Sequence, residues 1–218
     1  MSNRFDLIVF DWDGTLIDSA GAIATCIQLA AQDLGLPVPS TERARHVIGL
    51  GLRDALSHAI PELKPDDYGR LVGRYRQHFL ERDEQLPLFD GVRDLLDALR
   101  DRGYRLAIAT GKSSLGLSRA LATANLGSLF TATRCADQTA PKPDPAMLNE
   151  LLAELDVARG NALMIGDTTH DLMMASAAGV AALAVTYGAH PIDTLAGCPA
   201  LARLDSVTAL ARWLATNG

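Results

Sequence analysis

Phe5-Asp6-Leu7-Ile8-Val9-Phe10 runs directly into Asp11-Trp12-Asp13-Gly14-Thr15. The first six residues form a short apolar run that stops at an acid. A run of that length, bounded by Asp and Gly, suits a strand buried on both faces. Downstream, the same design returns. Tyr104 to Ala109 is apolar and ends at Thr110-Gly111-Lys112, and Ala162 to Ile165 ends at Gly166-Asp167-Thr168. Ala181 to Val185 reads as a further strand, and Thr131 to Cys135 as a weaker one.

Helical patterns fill the gaps. Val92, Leu95, Leu96 and Leu99 keep helical spacing up to Gly103. Leu115–Ala124, Asp144–Leu155 with Pro145 in its first turn, Asp171–Ala178 and Val207–Leu214 read the same way. Strands alternating with helices predict an α/β fold, a parallel sheet with helices on both faces. From about Ser19 to Leu86 the alternation breaks. Ile23, Ile27, Leu29, Ala30 and Leu34 make one apolar face and Leu71, Val72, Tyr75 and Phe79 another, with Gly35-Leu36-Pro37 and Pro61 between helices. We read this stretch as a helical insertion, with the chain rejoining the sheet near Pro87.

Composition narrows the function. The 218 residues carry 48% hydrophobic and 21% charged side chains and a net charge of -6. That balance supports a substantial core and offers no positive field for nucleic acid. A small anionic substrate remains compatible with it, because a local site can oppose the global sign. No apolar stretch approaches the roughly 20 residues that span a bilayer. The polar start, Met1 to Asp6, has no signal-like apolar region, so a cytoplasmic location is expected. Cys26, Cys135 and Cys198 lie far apart and read as inert thiols; Met164, Met173 and Met174 read as core filler.

Ligands of open α/β sheets bind beyond the carboxyl ends of the strands, so the polar clusters after each strand are expected to converge. Asp11 and Asp13, two apart, can face the same side. A carboxylate can attack phosphorus and hold the phosphoryl group, and a second can serve as acid and base. Gly14 lets the backbone turn close to a phosphate. Thr110 and the Gly111 N–H suit phosphate oxygens. Lys142, between Pro141 and Pro143, offers a fixed ammonium. Asp167 and Asp171 add the oxygen donors that magnesium prefers.

In their order and spacing, Asp11-Trp12-Asp13-Gly14-Thr15, Thr110, Lys142 and Gly166-Asp167…Asp171 resemble the four motifs of the haloacid dehalogenase superfamily, with the likeness running from Phe5 to about Val185. The resemblance implies a Rossmann-like, three-layer parallel-sheet core (residues 1–18 and 87–218) with an inserted α-helical cap (residues 19–86). It also implies Asp11 as nucleophile and metal ligand, and Asp13 as general acid/base giving its backbone carbonyl to the metal. Thr110, Gly111 and Lys142 would bind phosphate, Asp167 would ligate Mg2+, and Asp171 would ligate it or support it. Lys112 competes with Lys142, which is favoured by its place between the second and fourth motifs. Trp12 is expected to point away from the carboxylates.

Within that resemblance, the Asp at position 13 implies phosphatase chemistry rather than dehalogenation or ion pumping. The resemblance is strongest to phosphoglycolate-phosphatase-type members, which implies a small phosphorylated metabolite as substrate and a monomer or homodimer. A sugar phosphomutase of the β-phosphoglucomutase type and an inorganic pyrophosphatase share the core motifs and stay open. A non-catalytic binding protein would be expected to lack one of the core groups. Substrate choice is expected in the cap, where Gly49 and Gly51 allow a tight turn and Arg53 can grip a carboxylate in bidentate fashion. Arg45 and His46 are weaker candidates there. His170 is assigned a positional or solvent role; His58, His78 and His190, like His46, show no metal-like spacing.

Overall fold

A computed structural model describes residues 4–83 and 85–218. Its centre is a six-stranded parallel sheet in the order β3-β2-β1-β4-β5-β6. The strands are β1 (Leu7–Phe10), β2 (Arg105–Thr110), β3 (Ala132–Cys135), β4 (Ala162–Gly166), β5 (Ala181–Val185) and β6 (Arg203–Leu204). The first strand lies in the middle, flanked by β2 and β4, which is why all four of its residues are buried. Strand periodicity splits them: Ile8 and Phe10 enter one apolar cluster and Leu7 and Val9 the other.

Those two clusters are the two helix–sheet layers. One face is covered by α5 (Val92–Asp101), α6 (Ser114–Ala124) and α10 (Val207–Asn217), through side chains such as Leu96, Leu117 and Leu210. The other is covered by α7 (Ala146–Glu154) and α8 (Thr169–Ala178), through Leu148, Leu151 and Met174. Each such leucine, fully buried, contributes roughly 1.5–3 kcal/mol. The expected α/β three-layer architecture is the observed one. Helix α9 (Ile192–Leu195) is a single turn between β5 and β6.

Several local expectations shift. The first strand starts at Leu7 rather than Phe5, and β2 runs one residue further, so that Thr110 lies inside it. Helix α8 begins at Thr169, because Thr168 and Asp171 form a capping box that opens the helix two residues early. Pro145 stands at the N-cap of α7 rather than within its first turn. Met164 and Met174 are core residues, but Met173 is 50% exposed, since it lies on the outer face of α8. Trp12 is fully buried in the first cluster, away from solvent. Cys26 and Cys135 are buried free thiols, and Cys198 is half-buried.

The interval between β1 and α5 holds α1 (Ala20–Asp33), α2 (Thr41–His46), α3 (Leu52–Ala59) and α4 (Pro65–Asp83). These helices gather around a separate apolar cluster that includes Ile23, Ile27, Leu56 and Leu71. The chain enters and leaves this segment side by side, through an antiparallel bridge between Ile17 and Leu88. Among the described residues, no helix is long and apolar enough to cross a membrane.

Candidate active site

The carboxyl ends of β1, β2 and β4 bring the polar clusters together. Asp11 extends the sheet by donating its N–H to the Ile165 carbonyl (2.9 Å), which fixes its side chain at the strand tip. Its carboxylate is fully buried. Lys142 Nζ lies 2.8 Å from Asp11 Oδ1 and 2.6 Å from Asp171 Oδ1. The second oxygen of Asp11 has no hydrogen-bond partner, an expensive arrangement for a buried charge. Asp171 is fully used: Oδ1 faces Lys142, and Oδ2 accepts from the Thr168 N–H (3.0 Å) and hydroxyl (2.7 Å).

Asp167, also buried, is held from two sides. Thr15 Oγ1 donates to its Oδ1 (2.7 Å), and the Ala189 N–H donates to its Oδ2 (2.7 Å). Gly14 sits at φ +84° beneath it, where a Cβ would overlap that carboxylate; glycine is required on both counts. The Asp13 side chain points elsewhere, with Oδ1 accepting from Ser19 Oγ (2.8 Å) and Lys112 Nζ (3.2 Å). Thr110 is buried, and its hydroxyl accepts from the Lys112 N–H (3.2 Å). A Cβ on Gly111 would overlap the carbonyls of Gly49 and Leu50, so the turn after α2 rests directly on the end of β2.

Electrostatics sharpen the picture. Donor atoms of Asp11, Asp167 and Asp171 all lie within 4.8 Å of one another, and two of these three carboxylates share the Lys142 ammonium. Burial raises the Asp11 carboxyl well above its ordinary range, and the lowering pull of Lys142 does not cancel it. Asp167 is pushed up to about 7, by burial first and by Asp171 second. Burial alone would lower Lys142, but Asp11 and Asp171 outweigh it and hold its ammonium above the usual value. A surplus of buried negative charge, an orphaned carboxylate oxygen and an all-oxygen donor set fit a hard divalent cation such as Mg2+.

The structure thus brings together Asp11, Lys142, Asp167 and Asp171, with Asp13, Gly14, Thr110 and Gly111 around them. Lys112 reaches Asp13 and not Asp11, so it is Lys142 that neighbours Asp11. Above the strand ends a cavity of about 660 Å³ opens toward the helical segment, lined by Asp11, Asp13, Thr110, Ile48, Tyr75 and Arg53 among others. Arg53 lies over the Tyr68 ring, 5.3 Å from its centroid. Arg45 donates to the carbonyls of Gly188 (2.7 Å) and Ala189 (3.2 Å), beside Asp167.

Sequence reading missed the supports. Thr15 belonged to the quoted motif, yet nothing local pointed its hydroxyl at Asp167. His46, His170 and His190 form one group: the first and last stack at 4.8 Å, and His170 lies 5.9 and 5.3 Å from them. The Nε2 atoms of His170 and His190 both approach the His46 carbonyl, at 3.0 and 2.9 Å. Burial pushes the His190 imidazole down to about 4, which keeps it neutral. His46 is more than a hundred residues from both His170 and His190, and no spacing rule links them.

Comparison with known proteins follows the same residues. Residues 8–185 match the haloacid dehalogenase-like hydrolase family. A Dickeya dadantii protein named "Probable phosphatase IndB" is 37% identical over 196 residues, covering 87% of this chain and 84% of its own length. A phosphoglycolate phosphatase of Aliivibrio fischeri is 37% identical over 197 residues, covering 86% and 87%. Among solved structures, a predicted phosphoglycolate phosphatase from Haemophilus somnus superposes with a TM-score of 0.85 at 26% identity, covering 97% of this chain and 99% of that one. Because the family match reaches from β1 to the end of β5, and so spans every strand that delivers a carboxylate, the chain is an enzyme of the haloacid dehalogenase-like hydrolase family.

Proposed function

We propose that this hydrolase is a metal-dependent phosphatase acting on a small phosphomonoester, with Asp11 as nucleophile. The observation that carries it is the Asp11 carboxylate: buried, paired on one oxygen with Lys142, unpartnered on the other, and lining a cavity. An Asp11 oxygen attacks phosphorus, and the bond from phosphorus to the alcohol oxygen breaks. Asp13 gives the departing alcohol its proton. Water then attacks the aspartyl phosphate, Asp13 takes a proton from it, and phosphate leaves with Asp11 restored.

Thr110 and the Gly111 N–H hold phosphate oxygens, while Lys142 balances charge and fixes Asp11. A divalent cation held by Asp11, Asp167 and the Asp13 carbonyl, with Asp171 beside them, would offset the negative charge of the phosphoryl oxygens. Residues 19–86 act as a cap over a core of residues 1–18 and 87–218. Arg53 in that cap contacts the part of the substrate away from the phosphate. Phosphoglycolate is the first substrate to test, because relatives carry that name.

The deciding experiment is phosphate release from phosphoglycolate and a panel of phosphomonoesters, for the wild type and Asp11→Asn, with and without Mg2+. The wild type should release phosphate only with the metal, and Asp11→Asn should release none. Equal activity in both proteins, or full activity in excess chelator, overturns the reading.

A further inference from the structure

Lys112 is a lysine turned inward. Its side chain is 9% exposed, although a four-carbon stem normally carries its charge out to water. Its Nζ lies 3.2 Å from Asp13 Oδ1, 3.8 Å from Asp83 Oδ1 and 4.5 Å from the centroid of the Phe79 ring. Asp13 belongs to the strand-end site, whereas Phe79 and Asp83 belong to α4. One ammonium therefore ties the candidate acid/base to the helical segment above it.

The α4 side of this contact is one helix face. Tyr75, Phe79 and Asp83 recur every four residues, the spacing that stacks side chains along a helix. Tyr75 and Phe79 stack at 5.8 Å, and burial pushes the Tyr75 phenol well up, with Asp13 the next influence on it. On the other side, Ser19 Oγ and Lys112 Nζ both bind the same oxygen of Asp13. Two fixed contacts on Oδ1 set the carboxyl plane and leave Oδ2 outside both of them.

We propose that Lys112 is a positioning residue: it aims Asp13 at the departing alcohol, and it does so only while the Phe79–Asp83 face of α4 covers the site. The inference rests on the reading of Asp13 as the leaving group's acid. It makes α4 part of the proton-transfer machinery.

Leaving-group chemistry tests this. An alkyl phosphate needs a proton on its departing oxygen, whereas p-nitrophenyl phosphate releases a stable phenolate. We would measure kcat/KM on both substrates for wild type, Lys112→Met, Lys112→Arg and Asp83→Asn, with the inhibition constant for inorganic phosphate. General acid catalysis contributes roughly 10²–10⁴-fold. Lys112→Met should therefore lose about a hundredfold on the alkyl phosphate and only a few-fold on p-nitrophenyl phosphate, with phosphate inhibition unchanged. Lys112→Arg should recover part of the alkyl-phosphate rate, and Asp83→Asn should show the same selectivity at smaller size. An equal loss on both substrates, no loss at all, or weakened phosphate inhibition in Lys112→Met overturns the proposal. If Lys112→Met does not fold, Lys112→Arg and Asp83→Asn decide by the same ratio. A wild type inactive on both substrates would instead defeat the phosphatase reading itself.

Discussion

At the strand ends the charges are inside: Asp11, Lys142, Asp167 and Asp171 are buried and held by named partners. In the helical segment above, most charges are outside. The 19 residues of α4 bury only Leu71, Asp67 and Arg70 pair at its surface, Arg74 reaches Asp33 of α1, and Asp83 alone of these turns inward, to Lys112. The sheet half spends its burial on geometry, because a reacting carboxylate must not wander. The helical half rests on a small cluster of alanines, isoleucines and leucines, which fixes helices against each other without fixing any one polar group. On the proposed reading, chemistry belongs to the half with buried charges and substrate choice to the half with exposed faces.

That contrast can be broken experimentally. The largest expected effect is Asp11→Asn, which should reduce phosphate release by roughly a thousandfold or more with the fold intact by circular dichroism. Lys142→Ala comes next. Removing one member of a buried charge group costs about 3–5 kcal/mol, so denaturant unfolding should shift accordingly. If that variant stays as stable as the wild type, the carboxylates are not held in place by Lys142.

Leu56→Ala in the helical cluster and Leu96→Ala beneath the sheet should each cost about 2–5 kcal/mol. The comparison is sharpened if Leu56→Ala splits the thermal transition in two while Leu96→Ala moves it as one. A pH signature follows from Asp167. Its carboxyl is raised in the fold from 3.8 to about 7, so the native state holds a proton that the unfolded chain has lost. Metal-free protein should therefore lose stability as pH rises across that window. Mg2+ or Asp167→Asn should flatten the slope in urea titrations. The smallest effect is expected for Arg53→Ala: the exposed contact with Tyr68 is worth about 0.5–1 kcal/mol, and KM should rise while kcat holds.

Much of the sheet was legible because a doubly buried strand leaves a mark. Runs such as Leu7–Phe10 and Ala181–Val185 are apolar without interruption, and the first is closed by a polar cluster. Strand β6 left none: two half-buried residues, Arg203 and Leu204, carry no period. Asp11, Thr110 and Asp167 were legible because each directly follows or ends a strand. Lys142 stands in a loop and was legible only through the order of the motifs. The Thr15 bond to Asp167 and the Lys112 bond to Asp13 join residues 152 and 99 apart, and they exist only once β1, β2 and β4 lie side by side.

Gly111, Gly166 and Gly188 share a feature that reverses an ordinary ranking of substitutions. An added Cβ would overlap the Gly49 and Leu50 carbonyls at the first, Asp171 at the second and Asp167 at the third. Gly69 and Gly73 on α4, by contrast, have open space around them. Alanine scanning, normally the gentlest probe of a protein, would act here as a wedge at three points and as a mild helix stabiliser at two. A map of where one methyl group is tolerated would trace the outline of the reaction chamber without any substrate being known.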